Sequence, residues 1–295
     1  MSSQLLRDSR SERFFLLSNE IILILLSIVM LYPLLHTLAV SFSAGPEAEA
    51  GRVYAWPAGF QTDAWAFVVR DRTLHRSFLN SVYVTVIGVI ASLGFTALFA
   101  YPLSKPYFRP RRILSLMIVL TMVVRYPLIP YFLSLRAYGF MNNLHVLIFA
   151  HLLIEYNLII MRTFFQNLPA ELEEAAFMEG ANHLQILAKI FVPLSKPAFA
   201  TLGLFFAVTY WNLFLHPLMF LRDLELMPIQ VRLRQFIAMS ANAEMGQTGS
   251  VENPDLSRRT IEAAVTIFAT VPILMLYPFL QRHFVKGAML GSLKG

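Results

Sequence analysis

The sequence predicts an all-α integral membrane protein with six transmembrane helices, and three observations lead to that fold class. Of its 295 residues, 57% are hydrophobic and only 14% are charged, whereas an ordinary soluble domain is about 45–50% apolar and about 25% charged. Six apolar stretches each approach the roughly 20 helical residues that cross a bilayer core about 30 Å thick. Lys and Arg collect mainly between those stretches. Lipid must therefore solvate a large part of the chain.

The predicted spans, in chain order, are residues 21–40, 79–100, 113–135, 144–161, 198–215 and 261–279. The first is not a secretory signal peptide, because its apolar run is long and no Ala-x-Ala cleavage site follows closely. Prolines fall within or beside most of the spans, and neighbouring helices can satisfy the backbone groups that they free. We expect an extracytoplasmic loop, 41–78, between the first span and a five-span core, 79–280.

Basic residues predict the orientation in the membrane. The loop 101–112 carries four basic residues and no acid, and the segment 1–20 carries three arginines. Cytoplasmic loops are enriched in Lys and Arg, so both termini, including the tail 281–295, are predicted to be cytoplasmic. The loop 41–78 also carries four arginines, which weakens the argument, although four acids accompany them. The net charge of +6 therefore suits orientation in a membrane better than binding to nucleic acid.

Several catalytic and metal-binding motifs are absent from the sequence. It contains no cysteine, which removes disulfides, thiolate metal sites and cysteine nucleophiles. No lysine precedes Ser or Thr, as the phosphate-binding loop of an ATPase requires, and no His-Glu-x-x-His zinc motif occurs. His36, His151 and His216 lie in different segments without ligand spacing, which favours roles in helix packing or capping. We expect no enzymatic activity and no cofactor or metal bound by this chain.

The loop between the fourth and fifth spans, the hairpin (residues 162–197), carries the most informative pattern. Pro169 and the acids that follow it predict a helix start, since proline suits the first turn and acids face the positive end of the helix dipole. Small apolar residues then recur at helical spacing. Gly180 permits a sharp bend, and Asn182 can cap a second short helix. The pattern predicts a short acidic hairpin that docks into a groove on a partner, or else an ordinary surface hairpin.

The hairpin also contains a recognisable motif. Its residues are Glu174, Ala175, Ala176, Glu179, Gly180, Ala181, Ile190 and Pro193. Their spacing resembles the EAA loop of the permease subunits of binding-protein-dependent ABC importers. The family pattern has Leu where this chain has Val192, and often Asp where it has Glu179, and both departures are mild.

Three downstream segments look like the carbohydrate-uptake branch of that family, and more narrowly its lipo-oligosaccharide and polyuronate type. They are Tyr210-Trp211-Asn212, residues 226–230 and residues 277–287. The resemblance runs from about residue 77 to residue 295 and so covers most of the chain.

The resemblance implies a type I importer permease whose hairpin is a coupling helix seated in a cleft of an ATPase subunit. It implies that Glu174 and Glu179 anchor the hairpin electrostatically. Ala175 and Ala176 would pack against the ATPase, and Gly180 would make the turn. The implied partners are a second homologous permease, two ATPase subunits that bind ATP and Mg, an extracytoplasmic solute-binding protein and the lipid bilayer. The implied location is a bacterial inner membrane.

The C-terminal tail also resembles that of maltose-type importers, where it reaches into the ATPase interface. The residues implied to make such contacts are Lys286, Gly287 and Gly291, since glycines let a backbone enter a tight cleft. A frayed, unbound tail is the alternative.

The candidate substrate-pathway residues are Arg125, Tyr156, Asn157, Tyr210, Trp211 and Asn212. Arg125 and Glu155 are the ionisable residues deepest in their predicted spans, and charges there face a cavity or each other. Arg125 could therefore contact substrate or pair with Glu155. Aromatic rings and amides suit the apolar face and hydroxyl rim of a sugar, although Tyr210 and Trp211 could instead form an interfacial aromatic belt.

The expected substrate is an oligosaccharide, and several arginines favour an acidic one derived from alginate or pectin. The same basic surface could instead dock an acidic binding protein. The main alternative function is an ion-coupled secondary sugar transporter, which would be expected to show inverted repeats. A membrane enzyme would need a cluster of acids or histidines at one membrane face, and a purely structural membrane subunit remains open.

Overall fold

The computed structural model describes the backbone of residues 10–124, 127–244 and 257–292, and the side chains of residues 14–124, 127–238 and 257–275. No β-strand occurs in these ranges, in agreement with the predicted all-α fold. The helices are α1 (Arg10–Ser41), α2 (Gly45–Glu49), α3 (Asp63–Arg70), α4 (Arg72–Ser104), α5 (Arg111–Val123), α6 (Leu128–Ala137), α7 (His145–Ala150), α8 (Glu155–Gln166), α9 (Ala170–Met178), α10 (His183–Ile186), α11 (Val192–Leu194), α12 (Lys196–Trp211), α13 (Leu215–Phe220), α14 (Ile229–Glu244) and α15 (Arg258–Ser292). A π-helical turn, Leu187–Phe191, joins α10 to α11, and a 3-10 turn, Leu224–Leu226, precedes α14.

The chain divides into two compact units, of which the first comprises Met1–Arg70 and Phe236–Phe268. Its long helix α1 exposes its apolar side chains, which between Ile21 and Leu31 are 48–76% accessible. Leaving so much apolar surface in water would be costly, so lipid or another subunit must cover this helix. The loop after α1 is held by an aromatic stack of Phe42 on Phe60, with ring centroids 5.7 Å apart.

The second unit, Asp71–Gln235 with Ala269–Gly295, is organised around α4. Asp71 caps that helix, because its Oδ1 accepts hydrogen bonds from the backbone N–H groups of Thr73 and Leu74 at 2.7 and 3.1 Å. The buried face of α4 is built largely from small residues. They include Ser77, Ser81, Gly88, Ser92, Thr96, Ala97 and Ala100. Small side chains allow membrane helices to approach closely, and α8 and α12 pack on this face.

Only part of the predicted span pattern appears as continuous helix. Among the described residues, Phe14–Ser41 and Arg72–Ser104 are single helices long and apolar enough to cross a membrane. The first two predicted spans, 21–40 and 79–100, lie inside these helices. The last predicted span begins inside α15. The count of six spans stays a prediction.

The fourth predicted span, 144–161, is not one continuous helix. It is interrupted between α7 and α8. There the Nδ1 atom of His151 hydrogen-bonds at 3.0 Å to the carbonyl oxygen of Leu147, near the end of α7, and so caps that helix. The fifth, 198–215, ends its helix at Trp211, and the Asn212 amide donates to the carbonyl of Val208 at 2.9 Å. The third, 113–135, is divided between α5 and α6. Hydropathy did not reveal these breaks because the residues on both sides remain apolar.

The three histidines singled out in the sequence serve packing and capping, as predicted. His36 Nδ1 lies 2.8 Å from the carbonyl oxygen of Tyr54. The His216 ring lies parallel to the ring of Phe220 with centroids 5.9 Å apart. His151 caps α7, and its ring packs edge-on against that of His216 at 4.6 Å. No group of three or more potential metal ligands occurs in the described part of the chain.

Candidate functional site

The first helix of the hairpin begins where the sequence predicted. Pro169 has extended backbone angles and precedes α9, and the acids Glu171 and Glu173 fall in its first turn. An extended residue ahead of the helix and acids near the positive end of its dipole both suit a helix N-terminus. The buried side of α9 packs through Ala176 into a core that also contains Met161 of α8 and Leu202 of α12.

The hairpin turns at Gly180, whose φ of +81° lies in the left-handed region. The N–H of Gly180 bonds to the carbonyl of Phe177, and the N–H of Ala181 bonds to the carbonyl of Ala176, both at 3.0 Å. This pair of bonds forms a Schellman motif, which satisfies the last carbonyls of a helix and needs a residue with positive φ at its C′ position. Ala181 is half-buried and packs against the same core as Ala176.

Gly180 is required for its backbone angle and not for space, because a Cβ built on it would meet no atom within 4 Å. We therefore expect Gly180→Ala to destabilise the turn by about 1 kcal/mol, the cost of placing a side chain at this φ. Amide hydrogen exchange at residues 176–181 should accelerate about fivefold. Gly180→Asn should have a smaller effect because asparagine tolerates left-handed angles. Equal exchange rates in both variants and the parent chain would contradict this prediction.

Asn182 caps the second half of the hairpin, as predicted. Its side chain accepts from the N–H of Gln185, and the Gln185 side chain accepts from the N–H of Asn182, both at 2.9 Å, forming a capping box.

The helix then widens into the π-helical turn Leu187–Phe191, where the N–H of Val192 bonds to the carbonyl of Leu187. Because Pro193 has no N–H, a regular helical bond cannot form at that point, which suits the irregular turn.

A buried ion pair holds the hairpin to the end of α4. The Nζ atom of Lys105, the residue that ends α4, lies 2.5 Å from Glu173 Oε2, and both residues are only 6% exposed. The hydroxyls of Tyr101 and Tyr107 donate to Glu173 Oε1 at 2.7 and 3.0 Å. The ammonium group also lies 3.9 Å from the ring centroid of Phe191 in the π-helical turn. We call these five residues the anchor cluster.

The anchor cluster stabilises the charged form of Glu173. Burial alone would raise the pKa of this carboxyl group, but hydrogen bonds from Lys105, Tyr101 and Tyr107 outweigh it and hold the pKa below its usual value. The pKa of Tyr107 is raised to about 12 by burial and by its bond to the neighbouring carboxylate. Because the pKa of Glu173 is lowered by folding, its contribution to stability is present at neutral pH and is lost only as pH falls through that lowered value.

The outer face of α9 is available to a partner. Leu172 is 40% exposed, Met178 is 89% exposed, and Ala175 between them is also exposed. These three residues are spaced three apart and therefore share one face of the helix. Glu174 and Glu179 are exposed beside them. The face is therefore apolar with acidic flanks.

Ala176 does not share that exposure. It is 7% exposed and packs inside this chain, whereas Ala175 is exposed. The partner contacts expected of Ala175 and Ala176 both stay predictions. The remaining motif residues lie near the π-helical turn. Ile190 is half-buried and packs against the core of this unit, whereas Pro193 is exposed.

The candidate substrate residues do not gather into one site. Tyr210 is 1% exposed. Its hydroxyl donates a hydrogen bond to the carbonyl of Ile148 at 3.0 Å and forms a second hydrogen bond with Ser92 Oγ at 2.8 Å. Trp211 is 5% exposed, and its indole N–H donates to the carbonyl of Ala269 at 3.0 Å. Both lie in the core of this unit, and the expected sugar contact and the alternative aromatic belt stay predictions.

Of the other candidates, Asn157 is 2% exposed, whereas Tyr156 and Asn212 remain accessible. Arg125 lies outside the described residues, so its predicted pairing with Glu155 stays a prediction. Lys286, Gly287 and Gly291 belong to α15, and the structure describes only their backbone.

Sequence reasoning missed four members of the anchor cluster and the exposed Met178. The fifth, Glu173, was noticed only as one of three acids near the helix start. A signal for Met178 was present in the spacing from Leu172. Nothing in the sequence linked Lys105 to Glu173, because 68 residues separate them.

Comparisons with known proteins agree on the nature of the chain. A family model described as a binding-protein-dependent transport system inner membrane component matches residues 19–289. The polygalacturonan/rhamnogalacturonan transport system permease protein YtcP of Bacillus subtilis (strain 168) is 39% identical over 275 residues, covering 92% of this chain and 96% of that protein. Protein LplC of the same organism is 35% identical, covering 98% of each.

A solved structure is also similar. It belongs to a bacterial ABC transporter involved in the import of the acidic polysaccharide alginate, and it superposes with a TM-score of 0.84 at 34% identity. The match covers 94% of this chain and 98% of that one.

Proposed function

The chain belongs to the family of binding-protein-dependent transport system inner membrane components, and on that premise we propose that it forms half of the translocation pathway of an ATP-driven oligosaccharide importer. The observation that carries this function is the hairpin. It is bonded firmly to the chain on one side and presents an apolar, acid-flanked face on the other. A helix face of this kind suits insertion into a groove of a partner protein.

The partners follow from this assignment. A second homologous permease completes the pathway, two ATPase subunits bind ATP and Mg, and a solute-binding protein delivers the sugar outside. The termini 1–20 and 281–295 lie in the cytoplasm with the hairpin, and the loop 41–78 lies outside. Lys286, Gly287 and Gly291 extend towards the ATPase interface. The five-span core 79–280 forms the pathway, in which Tyr156 and Asn212 offer exposed polar groups, and Arg125 is a further candidate.

In the transport cycle, ATP binding closes the ATPase dimer and moves the hairpin, and the spans shift between inward-facing and outward-facing states. ATP can drive this change only if it binds one state better than the other. Ala175, with Leu172 and Met178, packs against the ATPase, and Glu174 and Glu179 meet basic groups at its rim. Gly180, Ala181, Ile190 and Pro193 give the hairpin its shape.

The substrate is an acidic, uronate-containing oligosaccharide. Two observations support this choice. The names of similar proteins mention polygalacturonan, rhamnogalacturonan and alginate, whose repeating units carry carboxylates. The chain also exposes Arg136 and Arg222 near turns that are predicted to be extracytoplasmic, where they can attract anions.

The test uses the chain together with its genomic neighbours, purified through a tag on this chain alone and reconstituted into liposomes. We expect ATPase subunits to co-purify, and binding protein loaded with galacturonate or alginate oligomers to stimulate ATP hydrolysis about fivefold or more. Maltose oligomers serve as the neutral control and should not stimulate. Absence of any co-purifying ATPase would reject the importer in favour of an ion-driven carrier. Stimulation by maltose oligomers alone would reject the acidic substrate.

A further inference from the structure

The anchor cluster joins three separate elements of the second unit. Tyr101 and Lys105 come from the last turn and end of α4, Glu173 comes from the first turn of α9, and Phe191 belongs to the π-helical turn that leads towards α12. Tyr107 adds a bond from the loop after α4. One small group of side chains therefore holds both halves of the hairpin to the end of α4, and the second half runs on through α11 into α12.

The ion pair within the cluster resists separation. Its side chains are 8% and 9% exposed, so moving them apart would leave a charge away from water without a partner, which is strongly unfavourable. Glu173 accepts two further hydrogen bonds from tyrosine hydroxyls, so its orientation is fixed from several sides. Displacement of the hairpin must therefore carry the end of α4 with it.

Burying an ion pair is a poor way to gain stability, since a well-packed apolar pair of similar volume is often as stable or more so. What distinguishes a buried ion pair from an apolar pair is that it fixes the direction of the contact. Short charge-assisted hydrogen bonds hold two groups in one relative geometry, whereas apolar contacts permit sliding. The ring of Phe191 beneath the Lys105 ammonium extends the same constraint to the π-helical turn, and irregular turns of that kind often occur at functional sites.

We propose that the Lys105–Glu173 pair is the joint through which movement of the hairpin reaches α4 and α12, so that both residues position the spans during coupling. This role rests on the importer function proposed above. It concerns contacts inside this chain and is separate from the face that meets the ATPase.

The test uses the reconstituted complex with the galacturonate-oligomer-loaded binding protein as the stimulus. Glu173→Gln and Lys105→Met should each lower the ratio of stimulated to basal ATP hydrolysis from about fivefold in the parent complex to nearly one, which is loss of coupling between the two sites. The two hydrolysis rates are measured per amount of assembled complex, because each single change leaves a buried group without its charged partner and lowers the yield. The exchanged pair, Lys105→Glu with Glu173→Lys, restores opposite charges and should recover a large part of the ratio. Glu47→Gln is the matched control, since Glu47 forms a partly exposed ion pair with Arg52, far less buried than the pair tested.

The outcomes separate positioning from simple stabilisation. If the single variants reduce complex yield and both hydrolysis rates in proportion, the pair serves folding alone and the positioning role is rejected. An unchanged ratio in both single variants, or no recovery in the exchanged pair when the complex assembles, also rejects it. If the parent complex itself shows no stimulated hydrolysis, the importer function fails first, and this result is visible before any variant is compared.

Discussion

Gly88→Ala is expected to destabilise the chain by about 2 kcal/mol, within the usual cost of overpacking a close-packed interior. A Cβ at this position would lie 2.6–2.8 Å from three ring atoms of Tyr210. The ring cannot easily move aside, because it is buried and its hydroxyl is bonded to Ser92 and to the carbonyl of Ile148. The added methyl group must instead push α4 and α12 apart. The measurement is the thermal unfolding midpoint of the purified complex in detergent, which should fall.

Gly94→Ala is the matched control, because Gly94 lies in the same helix and a Cβ there would meet nothing within 4 Å. That substitution should be neutral or stabilising, since alanine is favoured over glycine in a helix by about 1 kcal/mol. The double variant Gly88→Ala with Tyr210→Leu should be less destabilised than the sum of the two single changes, because it removes the clash. Equal midpoints for Gly88→Ala and Gly94→Ala would contradict the proposed contact.

Met178→Glu is expected to reduce the affinity of this chain for the proposed ATPase partner about thirtyfold or more. Met178 is 89% exposed at the end of α9, and in the proposed complex it is the largest apolar side chain of the docking face. Loss of a central interface side chain commonly costs about 2 kcal/mol or more, and a carboxylate would in addition be desolvated without a partner. The readout is the amount of ATPase retained by a tag on this chain over a dilution series.

The control for this prediction is Tyr138→Glu, which places the same charge at a residue that is 78% exposed. Tyr138 follows the third predicted span, and the hairpin follows the fourth, so the predicted topology places the two on opposite sides of the membrane. It should leave ATPase retention unchanged. Equal retention by both variants would show that the α9 face does not bind the ATPase. Thermal midpoints of the two variants should match that of the parent chain, since neither side chain is buried.

The local structure of the hairpin could be predicted from short-range patterns. Pro169, Gly180 and Asn182 each act through backbone groups only a few residues away, so their roles as helix start, left-handed turn and cap follow from residue type and spacing alone. The breaks in the apolar spans were not predictable in this way. The residues on both sides of each break remain apolar, and hydropathy measures composition without detecting where helical hydrogen bonds end.

The aromatic residues show a second limit of sequence reasoning. Tyr210 and Trp211 carry the chemistry of sugar recognition, but the structure shows their polar groups bonded inside the core. Residue type indicates what a side chain can do, and exposure decides whether a ligand can reach it.

By itself, the sequence determined the membrane-protein class, the family resemblance and the hairpin, because composition and local motifs are properties of neighbouring residues. Tertiary structure alone decided that Glu173 faces inward to Lys105 while Glu174 faces outward, and that Gly88 is needed for space while Gly180 is needed for its φ. The physical reason is distance along the chain. Lys105 and Glu173, like Gly88 and Tyr210, meet only when separate helices pack together, and no local pattern records which side of each helix is buried against which neighbour.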